Sequence, residues 1–161
     1  MVTGDHKLTG LVIARGLGIA REGDRAVDGA ELERMGEPEL HDELERIAVY
    51  ARVQPAQKLR IVEALQARGE VVAMTGDGVN DAPALKDADL GISMGSGSEA
   101  TKAVADLVLT DNAFSSLPTV VNEGRKVINN IERVSNLFVT KAAYAVLLTF
   151  AVGLLDSPFP F

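Results

Sequence analysis

One string constrains this chain more than any other: Thr75-Gly76-Asp77-Gly78-Val79-Asn80-Asp81-Ala82-Pro83-Ala84-Leu85. It follows the apolar run Val71-Val72-Ala73-Met74, which reads as a strand ending at Gly76, and it opens a helical pattern over 80–88. In open α/β sheets, ligands bind beyond the carboxyl ends of the strands. Gly76 and Gly78 allow a tight turn with close backbone approach at that point. Asp77 and Asp81 supply hard oxygen ligands of the kind Mg²⁺ prefers. Asn80 can donate a hydrogen bond to a phosphate oxygen, and the helix start offers unpaired N–H groups to an anion. A glycine turn with an Asp or Asn helix cap would explain a bare Gly-Asp-Gly. The whole string in a strand–turn–helix setting points to a site.

The residues around the string fit such a sheet. Ile47–Tyr50, Leu90–Met94 and Leu107–Leu109 are further short apolar runs. Between them, 57–67 places Leu59, Val62 and Leu65 at helical spacing, and 98–105 forms a shorter helical pattern. Strands alternating with helices predict βαβ units and a Rossmann-like parallel sheet over 1–116. Residues 21–45, acidic and carrying Gly23, Gly29 and Gly36, read as a surface excursion with one or two short helices.

Charge divides the chain. Residues 1–116 hold 12 Lys/Arg against 20 Asp/Glu, and the whole chain carries a formal charge of −7. That balance, with no Trp and 4% aromatics, argues against a nucleic-acid partner. With no cysteine, a disulfide framework, a thiol nucleophile and a Cys-based zinc site are excluded. Beyond residue 116 the pattern changes. Val120, Val121, Val127, Ile128, Ile131 and Val134 recur near helical spacing and predict an amphipathic helix over 117–136. Residues 137–155 then form an apolar run whose one charge is Lys141, close to the ~20 residues that a bilayer core needs. A buried helix of a soluble core would have the same composition. Lys141, near the start of the run, suits an interfacial anchor better than an internal counter-ion. Asp156-Ser157-Pro158 ends the run, and 156–161 is expected to form a loop.

Two further motifs bear on the string. Thr3-Gly4-Asp5 ends a first predicted strand, where a hydroxyl and a backbone turn can hold a phosphoryl group. Pro55-Ala56-Gln57-Lys58 opens the helix before the Thr75–Leu85 string, and a lysine there can neutralise phosphate charge. Alone, the first is a common turn and the second a solvated lysine. In this order, with Ala88–Gly95, Glu99–Thr110, Asp111–Phe114 and Glu123–Arg125 following, they resemble the P-type cation-transporting ATPases of the haloacid dehalogenase-like superfamily. The resemblance covers most of the chain, from the C-terminal part of the phosphorylation domain into the fifth transmembrane helix.

The resemblance implies roles for particular residues. Lys58 and Asp81 would belong to the catalytic machinery. Thr3, Gly4, Asp5, Lys58 and Asn80 would contact phosphate. Asp77 would ligate Mg²⁺, with Asp81 orienting the site from behind. ATP would be the substrate, and a transported cation, with Ca²⁺ as first choice, the cargo. The lipid membrane and the remainder of the pump would be partners, with 1–136 cytoplasmic. The family's phosphorylated aspartate lies in an Asp-Lys-Thr-Gly-Thr string that does not occur here. The expectation is therefore a piece of a longer protein, inactive alone and lacking a central strand. Two rivals stand beside it. One is a superfamily phosphatase, which needs an Asp-x-Asp nucleophile ahead of Thr3. The other is a short non-catalytic module that binds Mg²⁺, phosphate or a partner pump.

Overall fold

A computed structural model describes residues 1–155. The loop expected over 156–161 lies outside the described residues. The chain divides into two units, residues 1–113 and 114–161.

The first unit is α/β. Its strands are β1 (Val2–Thr3), β2 (Arg25–Asp28), β3 (Ile47–Ala51), β4 (Ala73–Gly76), β5 (Leu90–Met94) and β6 (Leu107–Leu109). The helices between them are α1 (Lys7–Gly16), α2 (Gly29–Arg34), α3 (Glu37–Glu43), α4 (Pro55–Ala67), α5 (Ala82–Asp87) and α6 (Glu99–Val104). Every strand pairing is parallel, as expected for strands joined by helical crossovers. The strands form two three-stranded sheets, ordered β1-β3-β2 and β4-β5-β6. Among the described residues β1 pairs only with β3, and β4 only with β5, so each of these strands keeps an open edge.

The first sheet packs on both faces. Its central strand β3 is buried along nearly its whole length, which is why it reads as a continuous apolar run. On one side Val27, Leu32, Leu40, Leu44, Ile47, Tyr50 and Ile61 form the largest core cluster. Burial there pushes the Tyr50 phenol up to about 12. On the other side α1 lies close to the sheet at Gly10, where a Cβ would stand 2.9 Å from Val49 Cγ1 and 3.0 Å from Thr3 Cγ2. Under the second sheet Val62, Ala84 and Ala88 form a smaller cluster with Leu59, Val72 and Met74.

Residues 21–45 depart from expectation. The two short helices are present as α2 and α3, but the segment is no mere surface excursion: it also supplies β2, and Val27, Leu32 and Leu40 are wholly buried. One apolar residue per turn is enough to seat so short a helix, and the intervening acids turn outward. The helix starts are local in origin. The Asp28 carboxylate accepts the Glu31 N–H while Glu31 accepts the Asp28 N–H, a reciprocal cap on α2. Strand β4 starts two residues later than the apolar run suggested. Val72 N–H bonds the Asp89 carboxylate, and Val72 C=O accepts the Leu90 N–H, so the chain enters the sheet after Val72.

Among its described residues, the second unit holds a 3₁₀ turn, Phe114–Ser116, and one long helix, α7 (Leu117–Leu155), of 39 residues. The regions 117–136 and 137–155 are therefore continuous. Pro118 sits in the first turn, where its missing N–H costs no helical hydrogen bond. The helix is long and apolar enough to cross a membrane, and none of its most apolar stretch is buried within the protein. Along that stretch Phe138, Leu147, Phe150 and Leu154 are all more than half exposed.

Candidate functional site

The Thr75–Leu85 string lies where its sequence placed it. β4 ends at Gly76, residues 77–78 turn, a 3₁₀ turn spans Val79–Asp81, and α5 follows with Pro83 in its first turn. Gly76 is required by close approach, because a Cβ there would meet Asp81 Cβ at 2.7 Å. Gly78 is under no such pressure: its added Cβ would stand 3.7 Å from the Asp81 carboxylate, an ordinary contact. Neither glycine has a positive φ.

The two aspartates have different surroundings. Asp81 is buried, and its carboxylate accepts a 2.5 Å bond from Lys58 Nζ. Lys58 reaches it from the first turn of α4, which begins at Pro55 and is held by the Gln57 side chain. Gln57 Oε1 accepts the Gln54 N–H at 2.9 Å, and its Nε2 donates to Gly29 C=O and to Glu33. The fold thus brings together two of the predicted residues that lie 23 positions apart. Asp77 is exposed at the strand exit, and its side chain makes no hydrogen bond or ion pair among the described residues. Asn80 is exposed beside it. This division suits a Mg²⁺ site built from one free carboxylate, with a second whose charge is already balanced by a lysine. Mg²⁺ commonly takes one or two protein carboxylates and completes its shell with water and substrate phosphate.

Thr3, Gly4 and Asp5 stand at the exit of β1. Thr3 Oγ1 accepts the Asp5 N–H, making a local turn. Their link to Lys58 runs through the backbone: Thr3 C=O accepts the Arg52 N–H at 2.8 Å, six residues before Lys58.

Several residues at this end escaped the sequence reading. Arg52 follows β3 with φ 51°, a left-handed conformation uncommon outside glycine. Together with His6, Lys7, Asp28 and Gly29 it lines a cleft of about 280 Å³ at the carboxyl ends of the first sheet. Lys7 Nζ lies 2.7 Å from Glu31 and 3.4 Å from Asp28. The bond to Glu31 raises the lysine above its usual range. The same bond holds Glu31 below its usual range, and the Glu31 N–H does so for Asp28. The left-handed backbone at Arg52 leaves no trace in composition or periodicity.

The Lys58–Asp81 pair sets a stability expectation. Removing one partner of a fully buried pair costs about 3–5 kcal/mol. Here the Lys58 side chain keeps 23% of its exposure, so water screens part of that cost. Lys58→Met should destabilise the chain by about 2 kcal/mol. Lys58→Met with Asp81→Asn should cost less than the sum of the two single changes. Denaturant melts of the four proteins in mild detergent measure this, and strict additivity would mean the pair contributes nothing.

Comparison with known proteins defines the class. A family model described as haloacid dehalogenase-like hydrolase matches residues 1–89, and the chain belongs to that family. Over most of its length it is similar to segments of P-type ion pumps. It is 51% identical over 154 residues to the calcium-transporting ATPase CtpE of Mycolicibacterium smegmatis, covering 96% of this chain and 19% of that protein. It is 48% identical over 153 residues to calcium-transporting ATPase 1 of Lactococcus lactis, covering 94% of this chain and 17% of that protein. Among solved structures, the catalytic domain of the CPx-ATPase CopB-B is 42% identical, covering 52% of this chain and 33% of that one, with a TM-score of 0.45. The chain spans about a fifth of the length of these curated relatives.

Proposed function

We propose that this chain is part of an ATP-driven calcium pump and supplies the Mg²⁺-binding hinge and phosphate-contacting residues of its phosphorylation domain. The observation that carries this reading is the division of labour at the exit of β4: an exposed Asp77 beside an Asp81 neutralised by Lys58. Asp77 would ligate Mg²⁺, and Asp81 would keep Lys58 directed at the site. Bound Mg²⁺ would offset charge on the phosphoryl oxygens. Lys58, Asn80, Thr3 and Gly4 would add donors to the same phosphoryl group. Such positioning and electrostatic stabilisation is most of what a protein does in phosphoryl transfer. The nucleophilic aspartate would come from another part of the protein, and the covalent intermediate would split the reaction into two steps. The open edges of β1 and β4 favour this reading, since one further parallel strand pairing with both would join the two sheets.

Calcium is chosen because the relatives at 51% and 48% identity are named calcium-transporting ATPases. Residues 142–155 hold no carboxylate or carboxamide, so the transported ion would find its ligands on other helices. Residues 1–136 would be cytoplasmic and 137–155 would lie in the membrane.

The test is transport by the full-length protein. Inside-out vesicles should accumulate radiolabelled Ca²⁺ only when ATP and Mg²⁺ are both supplied, with an acid-stable phosphoenzyme that depends on Ca²⁺. A phosphoenzyme indifferent to Ca²⁺ would refute the choice of ion. Absence of any phosphoenzyme in an intact, folded preparation would refute the pump.

A further inference from the structure

We propose that Thr101 is a positioning residue for Asp77, acting through Ser98, and that this clasp sets the affinity of the hinge for its divalent cation. The inference rests on the reading of Asp77 as the Mg²⁺ ligand.

Asp77 is exposed and its carboxylate has no protein partner among the described residues, so its backbone must aim it. Its carbonyl accepts the Ser98 N–H at 2.9 Å, which ties the exit of β4 to the start of α6. Ser98 is in turn held by Thr101. The Thr101 hydroxyl donates to Ser98 C=O at 2.8 Å and lies 2.9 Å from the Ser98 hydroxyl, which itself accepts the Thr101 N–H at 3.2 Å. The same hydroxyl is 3.5 Å from the Asp77 carbonyl.

A serine N-cap by itself needs only the bond from the Thr101 N–H to the Ser98 hydroxyl. Two observations go beyond a cap. Thr101 is completely buried, so its hydroxyl is committed to Ser98 and the hinge and has no water to exchange with. Gly97, also buried, has no room for a side chain: a Cβ would stand 2.9 Å from Met94 C=O and from Ser93 Oγ, and 3.3 Å from Asp77 C=O. Gly97 is therefore pressed between the exit of β5 and the Asp77 peptide without slack. Loosening it lets the Asp77 peptide rotate and swings the carboxylate. Groups that orient a metal ligand from behind are commonly worth 10–100-fold in metal affinity or activity.

Equilibrium binding of Mn²⁺, a paramagnetic stand-in for Mg²⁺, to the full-length protein tests this without turnover. Free Mn²⁺ is read by electron paramagnetic resonance, and the site is identified by its loss in Asp77→Ala. Thr101→Val, which removes the hydroxyl at nearly constant volume, should weaken Mn²⁺ binding about tenfold. Thr101→Ser, which keeps the hydroxyl, should stay close to the parent value. An unchanged affinity in Thr101→Val, or equal losses in Thr101→Val and Thr101→Ser, would overturn the proposal while leaving Asp77 as ligand. A site that survives Asp77→Ala would overturn the metal reading itself.

If Thr101→Val does not fold, a second pair decides. Ser98 has φ −62°, within the range of a proline ring, so Ser98→Pro suits the local dihedral while its ring carbon replaces the N–H aimed at Asp77 and pushes that carbonyl away. Ser98→Ala deletes only the hydroxyl. Weaker Mn²⁺ binding in Ser98→Pro than in Ser98→Ala supports the clasp, and equal affinities refute it.

Discussion

Asp77→Ala in the full-length protein should reduce Mg²⁺-dependent phosphoenzyme formation from ATP by about a hundredfold or more. The size follows from the site's economy. The Asp81 carboxylate is occupied by Lys58 at 2.5 Å, leaving Asp77 as the free carboxylate at the exit of β4. Raising Mg²⁺ should recover part of the loss if the aspartate serves to bind the ion. Asp77→Asn, which keeps the shape and removes the charge, should fall nearer to alanine than to the parent. Phosphoenzyme labelling across a Mg²⁺ series distinguishes these outcomes, and normal labelling of Asp77→Ala would remove it from the metal site.

Gly91→Ala is expected to be the most damaging small change in the second sheet. A Cβ at position 91 would stand 2.4 Å from Leu85 C=O and 2.9 Å from Leu85 Cδ2. The first obstacle is backbone at the end of α5 and cannot rotate away. Nor can β5 retreat freely, because Gly91 N–H bonds the Asp106 carboxylate and Gly91 C=O accepts the Asp106 N–H. Overpacking of this kind costs about 3 kcal/mol, a fall of about 10 °C in melting temperature for a unit of this size. Thermal melts in detergent measure it. By contrast Gly78→Ala, with its nearest neighbour at 3.7 Å, should melt close to the parent.

Much of this architecture could be read from the sequence because the relevant signals are local. β3, β5 and β6 are short runs of apolar residues bounded by polar ones, and α4 announces itself with Pro55 at its first position. The string from Thr75 to Leu85 combines a strand exit, a turn and a helix start in eleven consecutive residues. Signals fail where burial depends on partners distant in the chain. β2 carries Arg25 and Asp28 at its ends and exposes too little apolar pattern to be recognised, yet Val27 is wholly buried against α2, α3 and α4. The acids of 21–45 imitate a solvated surface, while Leu32, Leu40 and Leu44 fill the core between them. At the site, the types of residue were legible but their pairing was not. Lys58 looked like a phosphate ligand with no visible partner. Nothing in the sequence singles out Thr101, whose complete burial beside the hinge follows from how β4, β5 and α6 converge.

The two sheets also bear on how the unit moves and assembles. Each has an apolar cluster of its own, so each can gain cooperativity separately, as local units of unfolding do. Helix α4 belongs to both: Ile61 and Ala64 sit in the first cluster, and Val62 sits in the second. Residues 61 and 62 point about 100° apart around a helix, so one rigid rod fixes the angle between the halves. Its first turn carries Lys58. A small roll of that rod would re-seat both clusters and shift the lysine against Asp81 in a single displacement.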